Sequence, residues 1–452
     1  MTYQEACEYL GNIPPFIPKK LAPMEEPFNL KKITILLRYL GNPQGSLRFV
    51  HITGSNGKGS ASAYLTQILT AAGYRIGLYT SPAIREIRER IRIGSEQIPE
   101  DAFASYTERV RRVSDRMDRE GEGFPSEFEQ MTAIALLYFL EQKCDLVVLE
   151  VGLGGRLDAT NVIPAPLLAI FTPISKEHTE VLGETLSEIA REKAGIIKEG
   201  SRVLTAPQEE AAEEVLRAVC GEKKVPLYRA SLPVSRHFDG EVQSFAMSAE
   251  GLPDGIRFDT KMAAFYQADN AALAVQAALL LKEDGYNVSV KALTEGVYET
   301  KWPGRFEIIR SAPWVILDGS HNPAGARALS RCLRECFPGK KIRFLTGVLA
   351  DKEYKEMMQE VLPLAECFYT VTPSSSRALD AKELASYLSR EGAQAKACRD
   401  TMEAVRLSMM DLRESSVICA FGSLYQLAEY ERCLLLFAAN LQSGSGSSCL
   451  HE

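Results

Sequence analysis

Gly54, Gly57 and Gly59 enclose Ser55, Asn56 and Lys58, and Ser60 closes the run. An apolar stretch, Phe49-Val50-His51-Ile52, precedes it and a helix-forming one, Ala61-Ser62-Ala63-Tyr64-Leu65, follows. Strand, glycine turn and helix in that order aim backbone N–H groups and a positive helix end at a phosphate. Glycine lets the backbone come close to the anion, and Lys58 adds a point charge for terminal phosphates. Only Ser55 and Asn56 separate Gly54 from Gly57-Lys58, a shortened form of the usual spacing. The bland alternative is a glycine-rich turn with an exposed lysine.

Two further groups suit a divalent cation beside such a loop. Glu150 ends the apolar strand Leu146-Val147-Val148-Leu149, and an acid at that position holds Mg²⁺ in phosphoryl-transfer sites. Ser81 follows the strand read at Tyr74-Arg75-Ile76-Gly77-Leu78-Tyr79, at the strand end where open α/β sheets place ligands. Its hydroxyl suits a cation, and it equally suits a simple turn before Pro82. His178 is one of five histidines, and a lone histidine is commonly a hydrogen-bonded surface residue. Lys193 by itself reads as a lysine on a helix surface.

The elements that must position these groups alternate along the chain. Helices are expected over residues 1–40, interrupted at Ile13-Pro14-Pro15-Phe16, and over 101–119 and 128–142. Gly73 is expected to end the helix after the loop. Residues 200–228 read as strand, helix, strand, and 229–262 as an irregular or β excursion. A helix begins near Phe265, with Asp269 or Asn270 as a possible cap. Lys301-Trp302-Pro303-Gly304-Arg305 breaks the chain at a domain boundary. Beyond it strands at 314–317, 342–345, 368–371 and 417–420 alternate with helices, which implies a second, mostly parallel sheet. The expected division is 1–300, 301–440 and a flexible tail at 441–452.

The 452 residues allow two or three domains, and 46% hydrophobic with 25% charged residues is ordinary for a globular chain. A net charge of −7 without a basic run argues against nucleic-acid binding. No apolar run of about 18 residues suggests a membrane span, and no secretory signal is read at the start. Ten cysteines are scattered without a C-x-x-C pair, as small hydrophobes in a reducing cytoplasm would be. Cys332 and Cys336, four apart on a helix, lack a histidine partner for a metal site.

These motifs together resemble the folylpolyglutamate synthase / dihydrofolate synthase branch of the Mur-type ATP-dependent ligases. The matching residues run along nearly the whole chain: Gly57-Lys58-Gly59-Ser60, Thr80-Ser81-Pro82, Glu89-Arg90-Ile91, Ser126-Glu127-Phe128-Glu129, Glu150-Val151-Gly152-Leu153-Gly154-Gly155-Arg156-Leu157-Asp158, Glu192-Lys193-Ala194-Gly195-Ile196, Trp302-Pro303-Gly304-Arg305, Asp318-Gly319-Ser320-His321-Asn322-Pro323 and Phe421-Gly422-Ser423-Leu424-Tyr425. The resemblance implies an N-terminal P-loop ATPase-like domain with a mostly parallel sheet and flanking helices. It also implies a smaller, C-terminal Rossmann-like α/β domain.

By the same resemblance Asn56, Gly57, Lys58, Gly59, Ser60, Asn270, Arg305 and Asp318 bind ATP. Ser81, Glu150, His178 and Lys193 hold Mg²⁺, two ions in all, with Lys193 carbamylated. Ser126, Glu127, Phe128, Glu129 and Leu157 meet the folate or dihydropteroate substrate. Lys58, Lys193 and His321 are the catalytic candidates, His321 as polar support or as a proton-handling group. Read without the resemblance, Ser126 and Glu129 form a helix capping box. Ala83-Ile84 replaces the His-Leu of many members, and Glu177 stands where Asp is usual.

The implied reaction is ATP-dependent attachment of L-glutamate to a folate through an acyl phosphate, in a cytoplasmic monomer that closes around ATP. Dihydropteroate is a second expected acceptor. The alternatives are a ligase acting on a peptidoglycan precursor and a non-catalytic nucleotide-binding regulator.

Overall fold

The computed structural model describes residues 1–13 and 29–442. The break at Pro14-Pro15-Phe16 and the tail beyond 442 lie outside the described residues. The chain divides into two compact units. The first comprises Met1–His237, Ser244–Lys261 and Gln267–Lys301; the second comprises Phe238–Gln243, Met262–Tyr266 and the chain from Trp302.

In the first unit eight strands form one sheet: β1 (Phe49–Thr53), β2 (Ile76–Tyr79), β3 (Ile91–Ile93), β4 (Glu96–Gln97), β5 (Leu146–Glu150), β6 (Leu168–Phe171), β7 (Arg202–Thr205) and β8 (Leu227–Arg229). Their order is β4-β3-β2-β5-β1-β6-β7-β8. From β2 to β8 every pairing is parallel, whereas β2–β3 and β3–β4 are antiparallel. β1, β2, β5 and β6 are buried along their whole length, as covered parallel strands are. Register aligns Ile52 with Glu150 and Thr53 with Phe171. The carboxyl ends of β1, β5 and β6 therefore share one edge, the edge where such sheets bind ligands.

Helices α1 (Tyr3–Asn12), α2 (Lys31–Tyr39), α3 (Lys58–Ala71), α4 (Glu100–Arg119), α5 (Glu127–Glu141), α6 (Thr179–Leu182), α7 (Leu186–Ala194) and α8 (Glu210–Lys223) surround this sheet. One apolar core joins α1, α2, α4 and α5 to β1 and β5 through Leu36, Phe103, Phe139 and Leu149. Another joins α7 and α8 to β6 and β7 through Phe171, Ile189 and Leu216. Gly73, at φ +94°, follows the last turn of α3 as the sequence suggests.

The β excursion is a three-stranded sheet of β9 (Ser235–Phe238), β10 (Gln243–Ala246) and β11 (Arg257–Thr260), ordered β11-β10-β9. Helices α9 (Phe265–Leu280) and α10 (Val290–Glu299) follow. Because α9 begins at Phe265, Asp269 and Asn270 stand inside it and are not its caps.

In the second unit six strands, β12 (Glu307–Ser311), β13 (Trp314–Leu317), β14 (Ile342–Thr346), β15 (Ala365–Thr370), β16 (Ala395–Ala397) and β17 (Val417–Phe421), are ordered β12-β13-β17-β14-β15-β16. All pairs are parallel except β12–β13. Helices α11 (Pro323–Cys336), α12 (Tyr354–Val361), α13 (Ala381–Arg390), α14 (Thr401–Ser408) and α15 (Leu424–Gln442) complete it. The core is aromatic: Phe344 stacks on Phe368 at 5.2 Å and meets Phe421 edge-on at 5.4 Å. β12, β16 and α14 add to the expected alternation. The two strands are short and only partly buried, so they carry little apolar periodicity.

Candidate active site

Backbone geometry builds the phosphate-loop candidate. Gly57 has φ +88° and caps α3, so Lys58 opens the helix. A Cβ on Gly57 would lie 2.4 Å from Oδ1 of Asn270. The loop thus packs directly on α9, which brings Asn270 to the nucleotide-side candidates. Lys58 Nζ donates to the carbonyls of Gly54 (3.0 Å) and Ser55 (3.3 Å), folding back over the turn. Ser55 is pinned to Ser175 by hydrogen bonds of 3.0 Å in each direction. Gly59 and Ser60 are buried in the first turn of α3, while Asn56 is half-buried in the turn.

At the neighbouring strand end Glu150 is 4% exposed, and its Oε2 accepts the backbone N–H of Ser81 at 3.2 Å. These oxygen-bearing side chains suit a hard cation such as Mg²⁺. His178 is exposed, in left-handed backbone at φ 48°, where it caps α6. Among the described residues no three His, Cys, Asp or Glu side chains group as a metal cluster. Of the cation set inferred from sequence, Ser81 and Glu150 are joined by a hydrogen bond.

The reading of Lys193 as a surface lysine is wrong. Its side chain is 2% exposed, and Nζ donates to Gly54 O at 3.0 Å and to Glu177 Oε1 at 2.8 Å. The cause is close backbone packing. A Cβ on Gly155 would lie 2.7 Å from Lys193 O, and one on Gly195 would lie 2.4 Å from Arg156 Cα. The two glycines let the loop after β5 and the end of α7 touch, which drives Lys193 under the phosphate loop. Burial pushes the Lys193 amine below its ordinary range, opposed by Glu177. Burial also works against the Glu177 carboxylate, but the Lys193 and Lys58 charges outweigh it and hold Glu177 well below the usual carboxylate range.

Among the substrate candidates Ser126 and Glu129 do form the capping box: Glu129 N–H donates to Ser126 Oγ at 3.3 Å and Ser126 N–H to Glu129 Oε2 at 2.7 Å. Their polar atoms serve α5 itself. Glu127 pairs with Arg90 at 2.5 Å. Phe128 rests on Gly152, where a Cβ would lie 2.6 Å from the ring. Leu157 is half-buried in the loop after β5, beside Asp158, whose carboxylate accepts Leu153 N–H at 2.8 Å and Thr160 N–H at 3.0 Å.

In the second unit Asp318 is 1% exposed, and its carboxylate accepts hydrogen bonds from groups of that unit. Oδ2 accepts Phe306 N–H at 2.8 Å and the Tyr266 hydroxyl at 2.9 Å; Oδ1 accepts Ser320 N–H at 2.9 Å and its hydroxyl. Asp318 thus anchors the turn that carries Arg305. A Cβ on Gly319 would lie 2.2 Å from Arg305 Nη1, so the guanidinium crosses Gly319. His321 Nδ1 lies 2.8 Å from Gly319 O. A carbonyl only accepts, so Nδ1 is the donor in this contact.

Sequence reasoning missed Glu177 as a counter-ion, Tyr266 as a partner of Asp318, and His51, which is fully buried against Thr160 at 2.8 Å. A charged residue beside His178 was a signal for Glu177; the other two depend on contacts between distant segments.

The middle domain of Mur ligases matches residues 52–278, and the glutamate ligase domain of Mur ligases matches residues 304–424. The dihydrofolate synthase/folylpolyglutamate synthase of Bacillus subtilis is 33% identical, over 90% of this chain and 94% of that one. The folylpolyglutamate synthase of Lacticaseibacillus casei is 33% identical, over 96% and 99%. A solved complex of a folylpolyglutamate synthase with AMPPCP and folate superimposes with a TM-score of 0.82 at 31% identity, over 96% of this chain and all of that one. Similarity of this depth across both units shows that the chain belongs to the folylpolyglutamate synthase / dihydrofolate synthase family of ligases.

Proposed function

We propose that the protein is an ATP-dependent amide ligase that adds L-glutamate to folates. The observation that carries this reading is the meeting, in a chain of this family, of Lys58 and buried Lys193 at the Gly54 carbonyl of the glycine turn. A carboxylate does not acylate an amine, because oxide would have to leave. Transfer of the γ-phosphoryl group to the folate carboxylate releases ADP and makes an acyl phosphate. The glutamate amine then attacks the carbonyl carbon and gives up a proton, and inorganic phosphate departs with the carboxylate oxygen it received. Positioning and charge neutralisation dominate such a transfer. Asn56, Gly57, Lys58, Gly59 and Ser60 are the groups for the phosphates, with Asn270 against the loop.

Ser81 and Glu150 would hold Mg²⁺, with His178 as a further ligand, and the ion would supply charge neutralisation at the phosphates. Lys193 is the residue for carbamylation: its amine adds to CO₂ and loses a proton, and burial favours the neutral amine this requires while the Glu177 charge favours the ammonium. The carbamate would oppose Glu177, a repulsion that a second cation would relieve. Arg305, Asp318 and His321 are the nucleotide-side groups of the second unit.

Dihydropteroate is the proposed second acceptor, and a cytoplasmic monomer the proposed state. Among the described residues no helix is long and apolar enough to cross a membrane.

The test supplies ATP, Mg²⁺, bicarbonate and glutamate, with dihydropteroate or tetrahydrofolate in separate reactions. Products heavier by one glutamyl residue are expected from both. With an ¹⁸O-labelled acceptor carboxylate, one label passes to inorganic phosphate. No product from either acceptor overturns the reading, and product from tetrahydrofolate alone limits the enzyme to chain extension.

A further inference from the structure

Arg90 ends the 3₁₀ turn Ile87–Arg90, and its side chain is only 9% exposed. Burying a guanidinium is costly unless its donors and charge are met. One Nη donates to Glu127 Oε1 at 2.5 Å and the other to the Tyr79 hydroxyl at 3.2 Å, while Nε is buried without a hydrogen-bond partner. The guanidinium carbon lies 5.5 Å from the centroid of the Phe128 ring and 5.8 Å from that of Tyr79. Arg90 therefore meets Glu127 and Phe128, both in the first turn of α5. The ring of Phe128 is held between the guanidinium and Gly152, in the loop that follows Glu150. The adjacent Glu89 accepts the N–H groups of Ile84 (2.8 Å) and Arg85 (3.2 Å), in the segment that follows Ser81. One dipeptide thus ties the candidate substrate aromatic to the chain that leaves a candidate cation ligand.

We propose that Arg90 is a positioning residue that sets the plane of Phe128 for the flat pteridine end of the acceptor, which it orients without touching the reacting atoms. This rests on the ligase reading above. A lysine would keep the charge and lose the plane and the second donor direction, so the substitution is not conservative here.

The test measures KM for tetrahydrofolate, KM for ATP and kcat in the unmodified protein, in Arg90→Lys and in Tyr79→Phe, with melting temperatures alongside. Arg90→Lys should raise the acceptor KM about tenfold, through loss of the guanidinium plane and of its second donor direction. The KM for ATP should stay within about twofold. Tyr79→Phe keeps its ring and loses one hydrogen bond to Arg90, so the acceptor KM should rise about threefold. If Arg90→Lys does not fold, Tyr79→Phe decides. An unchanged acceptor KM in an active enzyme, or acceptor and ATP KM values rising together, overturns the role of Arg90 alone. An unmodified protein that is inactive with tetrahydrofolate and dihydropteroate overturns the ligase reading, and the role of Arg90 with it.

Discussion

Lys193 Nζ lies 2.8 Å from Glu177 Oε1, with side chains 2% and 9% exposed, so the base of the candidate phosphate loop rests on a buried ion pair. Removing one partner strands the other charge away from water. Glu177→Gln is expected to destabilise the protein by about 3 kcal/mol, and the double change Glu177→Leu with Lys193→Met to recover most of it. Urea unfolding of the three proteins is the measurement. Equal midpoints for the single variant and the parent would count against a buried pair.

Gly57 needs both its backbone conformation and its missing side chain. Gly57→Ala would place a Cβ 2.4 Å from Asn270 Oδ1 in backbone at φ +88°. Strain of about 1–2 kcal/mol is expected from the left-handed backbone alone, and displacement of Asn270 should weaken ATP binding at least about tenfold. Gly73→Ala is the control: it shares a positive φ, +94°, but has open space around it. It should lose similar stability and bind ATP normally in isothermal titration. Equal ATP affinity in both variants would refute the packing argument.

His51 makes stability depend on pH. Burial, reinforced by the Lys198 charge, pushes its imidazole down to about 3, so it stays neutral in the fold and protonates once the chain unfolds. The unfolded form takes up the proton as pH falls below its ordinary value of about 6.5, and stability declines from there toward pH 3. At pH 5 the loss from this group is about 2 kcal/mol. Unfolding free energies at pH 7 and pH 5 should therefore fall more steeply in the parent than in His51→Gln. Parallel slopes would show that His51 does not contribute.

Asp318 accepts from two backbone N–H groups and two hydroxyls. Asn offers one acceptor oxygen where Asp offers two, so Asp318→Asn leaves donors from Ser320 or from Phe306 and Tyr266 unmet. A cost of about 2–3 kcal/mol to the second unit is expected, read by hydrogen exchange of the Phe306 and Ser320 amides. Protection equal to the parent would mean that the turn carrying Arg305 is held by other contacts.

Much of this architecture was legible from residue order. Continuous apolar runs ending in Thr53 and Glu150 announce covered parallel strands, and glycine before Lys58 announces a helix start beneath an anion site. The Ser126–Glu129 capping box is local, and it forms as its spacing implies. These features depend on neighbours within a few positions, so periodicity and turn chemistry are enough to reveal them. The burial of Lys193, its pairing with Glu177, the contact of Asn270 with Gly57 and the enclosure of Arg90 by Tyr79, Glu127 and Phe128 were not legible. Each depends on which distant segments meet, and that is decided by strand order and by glycines that let two backbones touch. Read without the family resemblance, Lys193 is a helix-surface lysine; the approach of Gly155 and Gly195 placed it in the interior, where a charge must find a partner or be given up.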